Sequence, residues 1–169
     1  VPDERAHPRW SSMWTTGISI GQAFDTGNPS PALTHELRNG RIPTGRALVP
    51  GCGRGYDVYA LSALDREVIG IELAKSAVEA AASCPNKDDC AHLSNATFRQ
   101  GNFFDLDELE KFDFIYDYTF LCALDPSVRT DWARKMSTLI TPGGILMTLI
   151  FPIIAEKQGG PPFKVSLEL

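Results

Sequence analysis

The stretch "RALVPGCGRGYDVYAL", residues 46–61, decides the fold, because it places three glycines within five positions between two apolar segments. The apolar "ALV" before the glycines predicts a short strand. Val58, Leu61 and Leu64 follow at helical spacing and predict a helix with Asp57 as its N-cap. Glycines between a strand and a helix let the chain turn with positive φ and bring backbone amides close to a ligand. The stretch therefore predicts a strand, a ligand-binding loop and a helix.

The alternation of strands and helices continues beyond this loop. Further strands are predicted at "EVIGIEL" (67–73), "ATFRQGNFF" (96–104), "KFDFIYDYTF" (111–120) and "GGILMTLIFPI" (143–153). The last of them is apolar enough to be buried on both faces of a sheet. Helices are predicted at "AKSAVEAAASC" and between Asp125, as N-cap, and "TPGG", with Val128, Trp132, Met136 and Leu139 on one side. Such alternation predicts an open, doubly wound, mostly parallel α/β sheet.

The first 44 residues lack sustained periodicity and form a predicted arm before the sheet. Within them a short helix is predicted over 31–37, with Leu33 and Leu37 on one face and Gly40 just past its end. No repeat or flexible linker indicates a second domain. We therefore predict one domain over 1–169, divided into an arm (1–44) and a Rossmann-like core (45–169).

Composition restricts the classes of function. The chain has 169 residues, 43% of them hydrophobic, and a net charge of −5. No apolar run reaches the roughly 20 residues that cross a bilayer, and lysines and arginines form no basic stripe for nucleic acid. We therefore expect a small-molecule partner, with neither a membrane nor a nucleic acid.

Cysteine usage predicts a reducing compartment. None of the four cysteines shows the spacing of a zinc site, so no metal is predicted and the cysteines are interpreted as reduced thiols of a cytoplasmic protein. A small disulfide between Cys84 and Cys90 remains an alternative, since seven residues, "CPNKDDC", span the pair.

The residues around the glycine loop discriminate between nucleotide ligands. Glu72 ends the second strand, 19 positions after Gly53, where a carboxylate accepts hydrogen bonds from a ribose diol. A dinucleotide fingerprint requires glycine where this chain has Tyr56, and the lysine of a triphosphate loop is missing. The pattern favours an adenosine ligand without phosphate, namely S-adenosylmethionine. A purely structural glycine turn and a nicotinamide-dependent reductase remain the alternatives.

Several blocks together resemble one family over essentially the whole chain. These blocks are "LVPGCGRGYDV", "VIGIEL", "FDFIYDYTFLCALDPSVRTDWA", "PGGILMTLIFPI" and "GGPPFKVS". They resemble the thiol, thiocyanate, halide and thiopurine S-methyltransferase family. The resemblance implies a class I methyltransferase fold, S-adenosylmethionine as cofactor and S-adenosylhomocysteine as product. "PGCGRGYDV" with "DYTFLCALDP" is specific to this branch, whereas a bare GxGxG is common to many Rossmann-like methyltransferases.

The resemblance implies that the arm covers the cofactor. Trp10 and Trp14 in "WSSMW" would form this cover. Phe24 stands where relatives often have tryptophan in a "PWD" sequence, so the cover is altered in this chain. Because Trp10 and Trp14 are four residues apart, one face of a helix packed on the core is the alternative.

The resemblance also implies the residues around the rest of the cofactor. Gly51 and Gly53 would lie under the methionine portion, and Glu72 would hold the ribose. Asn102 and Phe103 would flank the adenine. Many relatives carry aspartate in place of Asn102, whose amide both accepts and donates hydrogen bonds.

Methyl transfer from a sulfonium to a soft anion requires positioning more than strong base catalysis. The resemblance places Tyr118 near the sulfonium, and we expect Tyr118 and Thr119 to act in catalysis, with Phe120 completing the pocket. Arg129 is a further candidate for attracting anions, with a solvated helix surface as the alternative. The predicted reaction is methyl transfer to a small thiol, thiocyanate, bisulfide or halide ion by in-line displacement.

The number of strands raises a second interpretation. Methyltransferase sheets of this type have seven strands, whereas five are predicted here, so we expect the last strands to be lacking. The fifth strand would then be an exposed apolar edge, and the protein a monomer or a dimer formed through that edge. A non-catalytic protein that binds the cofactor or another partner is the alternative function.

Overall fold

A computed structural model describes residues 9–84, 88, 90–153 and 159–166. Residues 1–8 of the predicted arm lie outside this description. Five helices and five strands are found in the described residues, together with short 3₁₀ turns. In chain order these are α1 (Arg9–Thr16), α2 (Pro31–Arg38), β1 (Gly45–Pro50), α3 (Tyr56–Leu61), β2 (Arg66–Glu72), α4 (Lys75–Ala82), β3 (Ala96–Gln100), β4 (Phe112–Asp117), α5 (Arg129–Leu139) and β5 (Ile140–Thr148).

The strands form one parallel sheet in the order β3-β2-β1-β4-β5. Strand β1 pairs with β2 on one side and with β4 on the other. The connections that follow β1 run outwards to β3, and the chain then returns to β4 on the opposite side of β1. This reversal opens a crevice at the carboxyl ends of β1 and β4, which is where open α/β sheets bind ligands. The predicted doubly wound parallel sheet is confirmed.

Both faces of the sheet are packed by helices. On one face Ile115 of β4 belongs to a core cluster with Met136 and Leu139 of α5. On the other face Phe114 and Tyr116 pack with residues of α2 and α3. Neighbouring residues of β4 therefore bury side chains on opposite faces, as strand geometry requires, and this double burial fixes the carboxyl end of β4 beside the crevice.

The start of α3 differs from the prediction that Asp57 is its N-cap. The N-cap is Gly55, whose φ of 80° lies in the left-handed region that glycine adopts without steric cost. The helix therefore begins one residue before Asp57, and the Asp57 carboxylate instead accepts a hydrogen bond from the Ser30 backbone N–H. The helix also ends at Leu61, which leaves Leu64 82% exposed.

The apolar sequence of the fifth strand suggested burial on both faces, which is wrong, whereas the expectation of an exposed apolar edge is confirmed. Strand β5 lies at the edge of the sheet and pairs with β4 alone among the described strands. Ile145 is 45% exposed and Leu146 38% exposed, because an edge position leaves them with few packing neighbours. The "TPGG" sequence, predicted to follow α5, lies inside β5, beside an irregularity in the pairing of Phe112 and Phe114.

Candidate functional site

A cavity of about 470 Å³ lies at the crevice between the carboxyl ends of β1 and β4. Its size is within the range of small-molecule sites. The structure brings together in its wall every residue that the sequence assigned to cofactor binding or catalysis. These residues are Trp10, Trp14, Phe24, Gly51, Gly53, Glu72, Asn102, Phe103, Tyr118 and Thr119. Their roles stay predictions, but their convergence from six separate segments is a structural fact.

The glycine loop has the left-handed backbone that its sequence predicts. Gly51 has φ of 60° and Gly53 has φ of 52°. A Cβ at Gly51 would lie 2.5 Å from Phe120 Cδ2, and a Cβ at Gly53 would lie 3.3 Å from Trp14 Cζ2. At both glycines, the atoms closest to an added side chain would thus belong to an aromatic ring of the cavity wall. The bare backbone permits this close packing of loop and wall.

Glu72 connects the glycine loop to the end of β2. Its side chain is buried, and its Oε2 accepts a hydrogen bond of 3.1 Å from the Gly53 N–H. Its Oε1 accepts one of 3.1 Å from the Ala74 N–H. Burial raises the pKa of Glu72, while these backbone hydrogen bonds oppose the increase. Each carboxylate oxygen has a further lone pair, so Glu72 can hold the loop and still accept a hydrogen bond from a ligand hydroxyl.

Three aromatic side chains from the arm close the cavity. Phe24 meets Trp10 edge-on at 5.2 Å between ring centroids and Trp14 at 6.0 Å. Trp14 is buried and packs with Ala74 and Ala77, which flank the start of α4. Trp14 is therefore both a core residue and part of the cavity wall, so the two interpretations of "WSSMW" are compatible. Phe24 is in contact with both tryptophans.

A buried network that the sequence analysis did not identify joins the arm to the glycine loop. Arg54 Nε donates to Asp25 Oδ2 at 2.7 Å, and the Tyr56 hydroxyl donates to Asp25 Oδ1 at 2.7 Å. Arg54 also donates to the Ile18 carbonyl at 2.6 Å. Burial, reinforced by the hydrogen bond to Asp25, raises the pKa of Tyr56. Tyr56 thus occupies the place of the missing third glycine and binds the arm.

Loss of the buried ion pair is expected to loosen the arm. The substitution Asp25→Asn leaves the Arg54 guanidinium without its counterion, so we expect the free energy of unfolding to fall by about 3 kcal/mol. Limited proteolysis between residues 17 and 28 should accelerate at the same time. Denaturant unfolding and proteolysis measure both effects. The matched variant Tyr56→Phe removes one hydrogen bond and should cost about 1 kcal/mol; equal stability of the two variants would contradict the assignment.

Asp117 shapes the loop that follows β4. Its carboxylate is fully buried and accepts hydrogen bonds from the Leu121 N–H at 3.1 Å and from Trp132 Nε1 at 2.9 Å. Burial raises the pKa of Asp117 to about 6, against the opposing effect of these hydrogen bonds. Thr119 has φ of 65°, a conformation that β-branched residues avoid. The anchored Asp117 therefore holds Tyr118 and the strained Thr119 at the cavity.

The opposite wall is formed by the turn after β3. Asn102 Oδ1 accepts a hydrogen bond of 3.1 Å from the Phe104 N–H and so caps this turn. Phe103 is buried and meets Phe120 edge-on at 5.2 Å. Phe103 and Phe104 both belong to the core and both line the cavity. The turn is thus fixed by packing before any ligand is bound.

Arg129 and Asp57 differ in their relation to the cavity. Arg129 is not among the residues of the cavity wall; its guanidinium donates to the Lys164 carbonyl at 2.6 Å. Its position therefore gives no support to a role in attracting anions to the cavity. Asp57, which the sequence analysis placed in a capping role, is half-buried in the wall. Burial raises the pKa of Asp57 to about 6, and the hydrogen bond from Ser30 opposes the increase.

The described residues contain no disulfide bond, no metal-binding cluster and no membrane-spanning helix. No disulfide bond joins Cys52, Cys84, Cys90 or Cys122, so the Cys84–Cys90 disulfide is not formed. No group of three or more His, Cys, Asp or Glu side chains in the described part of the chain is arranged to hold a metal ion. Across the same residues, every helix is too short or too polar to span a bilayer.

Comparison with known proteins gives consistent matches. The family model for thiopurine S-methyltransferase matches residues 5–168. The chain is 44% identical over 168 residues to a probable thiol methyltransferase 2 of Arabidopsis thaliana, covering 97% of this chain and 70% of the relative. It is 38% identical over 167 residues to thiocyanate methyltransferase 1 of Brassica oleracea, covering 99% of this chain and 71% of that relative.

A solved structure supports the fold. A glycopeptide N-methyltransferase complexed with S-adenosylmethionine superposes with a TM-score of 0.59 at 20% sequence identity, covering 76% of this chain and 57% of that one. Identity at this level establishes the shared fold and nothing about the reaction. The class I methyltransferase fold expected from the sequence is thereby confirmed.

Proposed function

Because the chain belongs to the thiopurine S-methyltransferase family, we propose that it transfers a methyl group to a small thiol, or to thiocyanate, bisulfide or a halide ion. The predicted methyltransferase class and the predicted cofactor, S-adenosylmethionine, are confirmed by this membership. The relatives are named as transferases, which favours a catalytic protein over the non-catalytic alternative.

The observation that carries the proposal is the pairing of Glu72 with the glycine loop at the cavity wall. The carboxylate lies at the end of β2, is hydrogen-bonded to Gly53 and keeps lone pairs for a ribose diol. The site therefore fits an adenosine ligand. Tyr56 fills the space that a pyrophosphate-binding helix start would leave open, and its hydroxyl is engaged by Asp25. This arrangement disfavours a dinucleotide.

The residues that would hold the cofactor follow from their positions. Glu72 would bind the ribose, and Asn102 with Phe103 would flank the adenine. Gly51 and Gly53 would lie under the methionine portion. Trp10, Trp14 and Phe24 would cover it from the arm. When bound, the cofactor supplies an electrophilic methyl group on a positively charged sulfur.

The cavity wall would act on the nucleophile mainly by excluding water and fixing its position. Tyr118, Thr119 and Phe120 lie side by side at the end of β4, and Phe120 packs against the glycine loop. An anionic nucleophile loses hydration in such an apolar wall and becomes more reactive. The Tyr118 hydroxyl is available to donate a hydrogen bond to it, since burial raises the pKa of Tyr118 and keeps the phenol protonated.

Binding and turnover measured on the purified protein test this proposal. We expect calorimetry to detect binding of S-adenosylhomocysteine to the protein. We also expect the protein to transfer the labelled methyl group of S-adenosylmethionine to thiocyanate, bisulfide, iodide or an aryl thiol. A hydroxyl compound of similar size serves as the control acceptor. Binding without turnover would support the non-catalytic alternative, activity confined to the hydroxyl compound would reject the proposed substrates, and binding of NADH would revive the reductase.

Assembly and location are proposals of the same kind. A monomer, or a dimer formed through β5, is supported by the exposed Ile145 and Leu146 on that edge strand. A cytoplasmic location is supported by the four cysteines, none of which is in a disulfide bond. Sedimentation at several protein concentrations distinguishes the two assembly states.

A further inference from the structure

The carboxylates of the cavity wall differ in how fully they are hydrogen-bonded. Three carboxylates line the cavity: Asp25, Asp57 and Glu72. Both oxygens of Asp25 are engaged by Arg54 and Tyr56. Both oxygens of Glu72 accept hydrogen bonds from backbone N–H groups. In the described part of the chain, Asp57 alone among them keeps an oxygen without a donor.

The geometry of Asp57 leaves that oxygen available to a ligand. Oδ1 accepts a hydrogen bond of 2.7 Å from the Ser30 N–H, which fixes the carboxylate, while Oδ2 has no partner among the described residues. The nearest guanidinium in the wall, that of Arg54, is paired with Asp25. Asp57 is therefore a fixed carboxylate in an apolar wall, with one lone-pair-bearing oxygen and no counterion.

We propose that Asp57 is the proton acceptor for thiol substrates in this cavity. The inference rests on the proposed function and deepens it, because it separates neutral thiols from nucleophiles that are already anions. In the proton transfer the S–H bond breaks, the proton moves to Asp57 Oδ2, and the bonding electron pair stays on sulfur as a thiolate. The neutral acid returns its proton to water after the product leaves.

The titratable groups around Asp57 are compatible with this role. Cys52 faces it from the glycine loop, Tyr116 from β4 and Tyr118 from the segment after β4. Burial raises the pKa of each of these groups, and the negative charge of Asp57 adds to the increase. All three are therefore neutral near pH 7. Burial raises the pKa of Asp57 itself to about 6, which brings the carboxylate close to the range of an effective base.

The substitution Asp57→Asn tests the assignment, because it keeps an oxygen for the Ser30 N–H and removes the proton acceptor. Methylation of an aliphatic thiol is compared with that of thiocyanate, which needs no base. We expect the ratio of kcat/KM for thiol to kcat/KM for thiocyanate to fall about 100-fold. Glu67→Gln is the control, since it removes a carboxylate that is exposed on β2 and lies outside the cavity wall, and it should leave the ratio unchanged. A change of less than about threefold in Asp57→Asn would overturn the proposal.

The pH profile gives a second test with a defined sign. Asp57 accepts a proton only when it is ionised, so kcat/KM for the thiol should be lost as the pH falls through about 6. In Asp57→Asn this inflection should disappear. The kcat/KM for the thiol should instead rise as the thiol itself ionises, at about pH 8.5 for a thiol like that of cysteine. Asp117, whose pKa burial also raises to about 6, would affect both nucleophiles alike. An unchanged inflection near 6 in the ratio of thiol to thiocyanate kcat/KM of the variant therefore contradicts the assignment.

Calorimetry with S-adenosylhomocysteine distinguishes a proton acceptor from a cofactor ligand. We expect the affinity of Asp57→Asn to stay within about threefold of the unaltered protein. A tenfold or greater loss of affinity, with thiol and thiocyanate turnover reduced equally, would show that Asp57 holds the cofactor and would overturn the proposal. Absence of methyl transfer to every nucleophile by the unaltered protein would instead refute the proposed function, and the assignment of Asp57 with it.

Discussion

The substitution Glu72→Gln is expected to weaken binding of S-adenosylhomocysteine at least 100-fold. Glu72 accepts hydrogen bonds from the Gly53 and Ala74 N–H groups through different oxygens. Glutamine offers one oxygen and places an NH₂ group against the other backbone donor, which leaves buried donors unsatisfied at about 1–3 kcal/mol. The charge that would strengthen hydrogen bonds from the ribose hydroxyls is lost as well. Isothermal titration calorimetry measures the effect directly.

A matched control separates the carboxylate's role from a general effect on β2. Glu67 lies on the same strand but is exposed. The substitution Glu67→Gln removes the same charge outside the cavity and should change the affinity by less than about twofold. Circular dichroism verifies that both variants are folded. If Glu72→Gln bound the ligand as well as Glu67→Gln, Glu72 would have no part in the site, and the proposed function would lose its main support.

The doubly wound parallel sheet and the ligand-binding glycine loop could be predicted because they depend on local patterns. The glycines, the apolar strand before them and Glu72 at the end of the next strand lie within one short segment of sequence. A strand followed by a helix leaves few topological choices, and the ligand crevice follows from the topology. The cavity wall accordingly contains the residues that sequence reasoning and family resemblance assigned to cofactor binding and catalysis, but not Arg129, the further candidate for attracting anions.

The residues that sequence reasoning missed or misjudged make contacts between distant segments. Asp25 and Arg54 are separated by 29 positions and Ser30 and Asp57 by 27, so no short spacing reveals either pair. The prediction that Asp57 is the N-cap of α3 was wrong because it used only the local preference of aspartate for helix N-caps and could not include the contact with Ser30. Gly55, in the left-handed conformation, is the N-cap of the helix. The Asp57 carboxylate is therefore available to accept a hydrogen bond from the distant Ser30 N–H.

The burial of β5 suggested by its apolar sequence was wrong for a related reason, although the strand count correctly indicated an exposed edge. Its apolar sequence indicates burial on both faces, but burial depends on which elements lie beside the strand. In the described sheet β5 has one neighbour, β4, and Ile145 remains 45% exposed. Hydrophobic content therefore predicted the strand correctly and its burial incorrectly, because burial is a property of the tertiary arrangement.

The substitution Gly51→Ala is expected to lower kcat/KM at least 100-fold. The alanine Cβ would lie 2.5 Å from Phe120 Cδ2, so either the Phe120 ring or the glycine loop must move. Phe120 also packs against Phe103, so a shift would pass to the opposite wall of the cavity. The left-handed φ of 60° adds a backbone cost of about 1–2 kcal/mol. Steady-state kinetics and denaturant unfolding measure the two effects.

Gly40→Ala isolates the backbone cost from the collision. Gly40 has φ of 64°, close to that of Gly51, and a Cβ there has no atom within 4 Å. This variant should lose about 1–2 kcal/mol of stability and keep its activity, because Gly40 lies outside the cavity wall. The double variant Gly51→Ala/Phe120→Ala should lose less activity than the sum of the two single variants, since removing the ring removes the collision. Additive losses of activity would show that the alanine at position 51 does not collide with the Phe120 ring, and would contradict this prediction.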